Sequence, residues 1–350
     1  MEVESKEWIL AQYVGEGVPT SEHLKLRTSN LKITKDVLPN DHVMLRLHWL
    51  SVDPYLRAKM SSQQDGLYLS QFHLNQAVTT FGVGEVIESK HSGLSFGEIV
   101  IHPFAPVAEY CIAPASFLRK IDPDSGVSVL DYLSALGIPG FAAWVGIVVL
   151  GDPKPGENVF ISAAAGGVGV FAGQLAKLKG CRVVGSVGSD VKVKFLKEEI
   201  GYDEAFNYNV ETDYDAALSK YFPNGIDIYL DNVGGRMLEA VLNHVNSRAR
   251  IPLCGMISQY NKVWTEREGV RNLLNMVGKE VRMEGFMLAS YMNRFGEFLE
   301  EMIGYIKQRK IVSEHKIYHG IESFLESFGS LFTSSNVGKV IVQVNKDAKA

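Results

Sequence analysis

The sequence predicts an α/β protein in two parts: an open, doubly wound parallel sheet and a smaller β-rich, barrel-like domain. Three observations carry that prediction. The N-terminal third reads as short strands broken by Gly, Pro and Ser. From Gly151 onward, strands alternate with helices. A glycine-rich turn, "SAAAGGVGVFAGQLAK" (residues 162–177), opens that alternation. A chain of 350 residues, 46% hydrophobic and 21% charged, has room for both parts and the composition of a globular protein.

The elements follow in order. "HVMLRLHWLSV" alternates Val43, Leu45, Leu47 and Trp49 against Arg46 and His48, the period of a half-buried strand. "FGVGEVIES", "GEIVIH" and "VAEYCIAP" add short strands. "YLSALGIPGFAAWVGIVVLG", residues 132–151, is 20 residues without a charge, long enough to span a bilayer. Pro139–Gly140 interrupts it and "GDPKPGE" ends it in a turn, so a buried, kinked core segment is expected and no membrane partner. Then "ENVFISAA", "CRVVGSV", "EAFNY", "IDIYLDNVGG", "ARIPLCG" and "VRMEGFML" read as six strands. Helices "VFAGQLAKLKG", "DVKVKFLKEEI", "DYDAALSKYF" and "RMLEAVLNHV" lie between them. A last helix, "FGEFLEEMIGYIKQRK", and a last strand, "GKVIVQV", complete the chain. That strand is expected to return to the first domain, giving a discontinuous β-rich domain (1–130 and 305–350) around a nucleotide-binding domain (131–304).

Composition excludes several classes. A net charge of −5, with Lys and Arg scattered, does not suit a nucleic-acid partner. Cys111, Cys181 and Cys254 lie far apart and form no metal-ligand spacing, so reduced thiols in a cytoplasmic protein, with no metal, are expected. The N-terminus begins acidic and shows no apolar core of a signal peptide. No HExxH, GxSxG or P-loop motif is found.

Within the glycine turn, Gly167-x-Gly169-x-x-Ala172, followed by Gly173, fits a dinucleotide fingerprint. The first glycine permits the turn, the second lets backbone approach a pyrophosphate, and the small third residue lets helix meet strand. The second strand discriminates between nucleotides. NAD sites place an Asp or Glu about 20 residues on, to hold the ribose 2′-hydroxyl. Here that strand ends on Gly185, Ser186, Val187, Gly188 and Ser189, with Asp190 already entering the next helix and Lys192 close behind. A small polar turn with a lysine suits a 2′-phosphate, and Tyr208 follows the third strand as a further donor. Lys192 reads equally well as one solvated helix charge among several.

A zinc alcohol dehydrogenase with this layout needs Cys and His ligands. Where such an enzyme carries Gly-His-Glu, this chain has Thr80-Phe81-Gly82. A metal-free reductase needs neutral donors where an enolate oxygen develops, and phenols suit that task. Tyr55, in "SVDPYLR", and Tyr260, in "CGMISQY" beyond a sheet strand, stand in suggestive places. With 14 tyrosines in the chain, spacing alone does not select them.

Taken together, "VDPYLR", "LGIPGFAAW", "AAAGGVG", "GQLAKLKGCRVVGS", "FPNGIDIYLDNVGG", "CGMISQYN" and "NVGK" resemble the medium-chain dehydrogenase/reductase superfamily. More narrowly they are similar to its zinc-free plant NADPH-dependent alkenal double-bond reductases, relatives of prostaglandin reductases and pulegone reductase. The similarity runs along nearly the whole chain. It implies a Rossmann-type sheet with a GroES-like β domain, a cytoplasmic homodimer, and NADPH as cofactor. The substrate implied is a small α,β-unsaturated carbonyl compound, either a plant secondary metabolite or a reactive alkenal. By resemblance, Gly166, Gly167, Val168 and Gly169 cradle the pyrophosphate. Gly188, Ser189, Lys192 and Tyr208 sit at the 2′-phosphate. Asn232, Cys254, Ser258, Tyr260, Phe286, Met287, Leu288 and Asn336 line the nicotinamide half. Tyr55, Tyr260 and Ser290 face the substrate, with Tyr55 and Tyr260 as the catalytic pair. Hydride goes to the β-carbon, and Tyr260 or water protonates the α-carbon. Quinone reduction, or nucleotide binding without turnover, are the alternatives. Three departures from the group stand out: the turn "AAAGGVGVFAGQ", the loop at residues 61–80, and the charged, Trp264-bearing "NKVWTEREGVRN".

Overall fold

A computed structural model describes residues 2–62, 70–122 and 124–348. Residues 63–69, in the middle of the atypical 61–80 loop, therefore lie outside the described residues. The chain forms two compact units: Met1–Leu133 with His315–Ser335 and Val340–Ala350, and Ser134–Glu314 with Asn336–Lys339.

The first unit opens with an antiparallel pair, β1 (Glu2–Leu10) and β2 (Leu24–Lys32). Its larger sheet starts from β3 (His42–Ser51), β4 (Thr79–Ser89), β5 (Ile99–Pro106), β6 (Tyr110–Pro114) and the short β7 (Arg119–Lys120). The expectation of a half-buried β3 is corrected: eight of its ten residues are buried, His48 among them. Its pairing with β4 slips between Leu47 and Trp49. The bulge reverses which face each later side chain occupies. Leu45 and Leu47 therefore join one core cluster and Trp49 another.

The second unit begins with α1 (Ile138–Trp144), continued by π-helical turns to Gly151. This is the uncharged stretch. Pro139 lies in the helix's first turn, where a missing N–H is harmless. No helix among the described residues is long and apolar enough to cross a membrane. Six parallel strands follow, each joined to the next through a helix on one face of the sheet or the other. They are β8 (Asn158–Ile161), β9 (Arg182–Val187), β10 (Glu204–Asn207), β11 (Ile226–Leu230), β12 (Val245–Leu253) and β13 (Arg282–Gly285). Their order is β10-β9-β8-β11-β12-β13. The connecting helices are α2 (Gly167–Leu178), α3 (Asp190–Phe195), α4 (Tyr214–Tyr221), α5 (Gly235–His244) and α6 (Leu274–Lys279), and α7 (Phe295–Lys307) comes after β13. Ser189 caps α3 and Asp213 caps α4, each accepting a backbone N–H from the first turn. Runs such as Phe160–Ile161 and Val183–Val184 are wholly buried, as a parallel sheet covered on both faces requires.

The chain end rejoins the first unit. β14 (His315–His319) and β15 (Lys339–Gln343) extend the β3 sheet, with Ile341 opposite Ser51. Between them α8 (Phe324–Ser330) buries Phe324 and Phe328 in the core.

Candidate active site

In the second unit, the strand order reverses between β8 and β11. Open α/β sheets bind ligands beyond the carboxyl ends of their strands at such a switch point. The glycine turn lies there. Ala163 adopts a left-handed φ of 49°, Gly166 N–H closes the turn onto the Ala163 carbonyl at 3.0 Å, and α2 starts at Gly167. Gly166 is the cap residue and has no side chain, so the positive helix end faces outward with nothing from the cap in the way.

The glycines have distinct reasons. A Cβ on Gly169 would stand 2.5 Å from Ala164 Cα, and one on Gly173 would stand 2.1 Å from the Tyr202 ring. Tyr202 is buried and donates its hydroxyl to the Gly169 carbonyl at 2.7 Å, tying α2 to the chain that enters β10. Gly169 is thus required by the turn's own backbone as well as by any approaching phosphate. The segment Asn336–Lys339 runs alongside, with Gly338 N–H donating to the Ala165 carbonyl at 2.9 Å. Asn336 and Lys339 are both buried, and Lys339 Cδ lies 3.1 Å from where a Cβ on Gly167 would be. Sequence reasoning named Asn336 and missed Lys339, whose only signal was its place in "NVGK".

At the end of β9, Gly188 and Ser189 lead into α3, and Ser189 Oγ accepts from Lys192 N–H at 3.4 Å. Tyr208 is brought alongside, its N–H on the Val187 carbonyl at 2.9 Å. Asn209 donates to the Gly188 carbonyl and Asn207 to Asp190, each at 2.9 Å; both fix this turn and neither was foreseen. Lys192 separates from its neighbours: it is 8% exposed, whereas the Lys194 side chain is 73% exposed. Burial lowers its pKa to about 8, and among the described residues no carboxylate pairs with it.

At the end of β11 the buried Asp231 accepts from Tyr229 Oη (2.7 Å) and from the N–H groups of Val233 (2.9 Å) and Gly234 (2.8 Å). Burial raises its pKa, and those donors offset the rise only in part. Asn232 is locked onto Ser162, donating N–H to its Oγ at 3.0 Å and Nδ2 to its carbonyl at 2.8 Å. At the end of β12, Cys254 and Gly255 donate N–H to the Asp231 carbonyl. The Cys254 thiol is pushed up to about 12 by burial and by Asp231, so it stays protonated and is no nucleophile. Ser258 Oγ donates to the Val233 carbonyl at 2.6 Å. Tyr260 folds back so that its hydroxyl accepts Met256 N–H at 3.2 Å. Beyond β13, Phe286 lies edge-to-face with Tyr291, Met287 and Leu288 are partly buried, and Ser290 is exposed.

In the first unit, Tyr55 is the second residue of the short helix Pro54–Met60 after β3 and rests on the core. Burial and the Asp53 carboxylate raise its pKa, while a hydrogen bond with the Thr80 side chain opposes them; the net effect keeps it a neutral phenol. Ser51 Oγ donates to Asp53, and Thr80 Oγ1 donates to the Ser51 carbonyl at 2.8 Å. Tyr55 therefore belongs to one unit, and the remaining expected site residues, Tyr260 and Asn336 included, belong to the other.

The comparisons agree with this architecture. Residues 167–304 match the family model described as "Zinc-binding dehydrogenase", and residues 6–121 match "N-terminal domain of oxidoreductase". An NADP(+)-dependent 2-alkenal reductase of Nicotiana tabacum is 42% identical over 346 residues, covering 99% of each chain. The (+)-pulegone reductase of Mentha piperita is 39% identical over 349 residues, 99% of this chain and 100% of that one. A crystal structure of CurA from Vibrio vulnificus in complex with NADPH superposes with a TM-score of 0.88 at 33% identity, covering 97% of this chain and 99% of that one. Fold and site together define a two-domain oxidoreductase with a Rossmann-type sheet and a GroES-like domain. The chain belongs to the medium-chain dehydrogenase/reductase superfamily, in the group that holds the 2-alkenal and pulegone reductases.

The zinc in the family model's description does not fit this chain. Among the described residues no three His, Cys, Asp or Glu side chains gather as ligands. Cys111, Cys181 and Cys254 are free thiols far apart in the sequence, and none joins such a group.

Proposed function

We propose that this protein reduces the activated C=C bond of α,β-unsaturated aldehydes and ketones with NADPH, acting on a plant secondary metabolite or a reactive alkenal. One observation carries the cofactor half: Lys192, a buried ammonium with no carboxylate partner among the described residues, stands after a strand end that offers no acid to a ribose hydroxyl. A dianionic 2′-phosphate is its natural counter-ion. The activities named for the tobacco and mint relatives support the reaction half.

In this reading Gly166, Gly167, Val168 and Gly169, with the α2 N-terminus, take the pyrophosphate. Gly188, Ser189, Lys192 and Tyr208 take the 2′-phosphate. Asn232, Cys254, Ser258, Phe286, Met287, Leu288 and Asn336 shape the nicotinamide end. Bound NADPH supplies a hydride to the β-carbon. The chain supplies donors for the charge that develops on the carbonyl oxygen. Tyr260 is one: by accepting Met256 N–H, its hydroxyl is oriented and its O–H polarised. Tyr55, held neutral, is the other, and Ser290 adds a hydroxyl near the substrate. The molecule is further proposed to be a cytoplasmic homodimer. Three free thiols suit a reducing compartment, and α6, which packs on β12 and precedes the edge strand β13, exposes Leu274 and Val277.

The test is NADPH oxidation across enals, enones, hydroxycinnamaldehydes, quinones and saturated aldehydes, with products identified by mass. Products saturated at the α,β-bond from the enals and enones are expected. Turnover of quinones alone would assign the protein to quinone reduction, and no turnover would leave it a nucleotide-binding protein.

A further inference from the structure

The glycine pair that ends "DNVGG" and the charged segment "NKVWTEREGVRN" remain unexplained by cofactor binding, and the structure joins them. Gly234 and Gly235 both have positive φ, 71° and 56°. A Cβ on Gly234 would meet Met256 Cγ at 2.9 Å; one on Gly235 would meet Glu268 Oε2 at 2.2 Å and Gln259 Nε2 at 2.6 Å. The two glycines therefore let the chain that follows β12 lie flush on the start of α5.

Once there, that chain is fastened. Glu268 N–H donates to Gln259 Oε1 at 2.8 Å, and Gln259 Nε2 returns a bond to Glu268 Oε2 at 3.2 Å, a reciprocal pair closing residues 259–268 into a loop. Glu268 Oε2 also accepts Arg236 N–H at 3.2 Å, supplying the acceptor that Gly234, the cap residue of α5, cannot. Lys262 Nζ reaches Glu268 Oε1 at 3.1 Å. Gln259 is 6% exposed and donates to Ser258 Oγ at 2.7 Å. The very next residue is Tyr260.

We infer that Glu268 is a positioning residue for Tyr260: with Gln259 and the glycine pair it forms a clasp that sets the height and direction of the Tyr260 hydroxyl. The inference rests on the role proposed for Tyr260 and names the device that holds it. Glu268 touches neither substrate nor cofactor in this assignment; it acts only through the loop. Burial pushes the Glu268 carboxyl up, yet its bonds with Lys262 and Arg236 N–H more than offset this and hold it below the ordinary range. It is thus an anion at neutral pH, as a helix N-terminus favours.

The test is a double-mutant cycle on the full-length protein with a simple enal. Glu268→Ala is expected to lower kcat ~5- to 20-fold while the KM for NADPH changes less than about twofold. Glu268→Gln, which keeps an acceptor for Arg236 N–H, should recover most of the rate. In a Tyr260→Phe background, Glu268→Ala should change kcat no further. Equal losses in both backgrounds would mean that Glu268 acts elsewhere and would overturn the proposal. Hydrogen exchange separates this failure from failure of the Tyr260 role. Glu268→Ala should speed exchange at the Met256, Ile257 and Tyr260 amides and leave the α2 amides unchanged. Faster exchange with a fully active Tyr260→Phe enzyme keeps the clasp and rejects the Tyr260 role. Unchanged exchange rejects the clasp.

Discussion

Lys192 shows how much one residue's surroundings decide. In the sequence it is one of several lysines in "DVKVKFLKEE"; in the fold it is buried and the Lys194 side chain is in solvent. Its pKa of about 8 lies below the 10.5 of an exposed lysine, and burial is the cause. The sign follows: between those values the unfolded chain binds more protons than the folded one, so folding stability rises with pH across that window. Binding of a 2′-phosphate runs the other way, because it needs the ammonium. NADPH affinity should therefore be level between about pH 7 and 8, where the phosphate is already dianionic, and fall ~10-fold per pH unit above that, while NADH affinity stays flat. Lys192→Ala should weaken NADPH alone and abolish that inflection. Titration of cofactor fluorescence at several pH values measures both. Equal losses for the two cofactors would remove Lys192 from the 2′-phosphate.

At the scale of elements, the β8 turn and α2 form a unit that tolerates no added atom at Gly169. The atoms a Cβ would strike belong to the Ala164 backbone, which cannot swing aside as a side chain can. Gly169→Ala should destabilise the fold by ~1–3 kcal/mol. It should also weaken NADPH and NADH together, since both carry the same pyrophosphate. Calorimetric melting and paired affinity measurements check this, and a loss confined to NADPH would contradict it. Such elements were legible because their signal is local: a strand, a glycine run and a helix lie in sequence order, and the acid-free end of β9 reads directly. Others were not. β1, "EVESKEWIL", is charged or polar at five of its first six positions and β14, "HKIYH", at most of its positions, and each forms a strand because another segment of the chain pairs with it. The β3 bulge hid in a regular alternation, since a one-residue slip leaves no mark on the sequence. Asn207, Asn209, Gln259 and Glu268 escaped for the same reason. Asn209, Gln259 and Glu268 each act through a backbone group, and Asn207 through the Asp190 carboxylate, that only the fold brings near.

At the scale of the molecule, the sheet of the second unit ends on β13, whose outer edge faces no further strand in the sheet order. Just before it, α6 leaves Leu274 79% and Val277 76% exposed, with Leu273 at 46%. A soluble protein seldom places such side chains side by side without a covering surface. A second copy suits both features. Antiparallel pairing of β13 with its own copy about a two-fold axis at Met283 sets Arg282 of one chain opposite Glu284 of the other, so the edge charges complement rather than repel. Burying Leu274 and Val277 against a second copy would contribute roughly 1.5–3 kcal/mol each. The wild-type protein should therefore sediment as a dimer at micromolar concentration. The Leu274→Asp, Val277→Asp double variant should sediment as a monomer with its helical circular dichroism retained, because neither side chain belongs to the core. A wild-type monomer, or a dimer indifferent to both substitutions, would place the two-fold contact elsewhere or remove it.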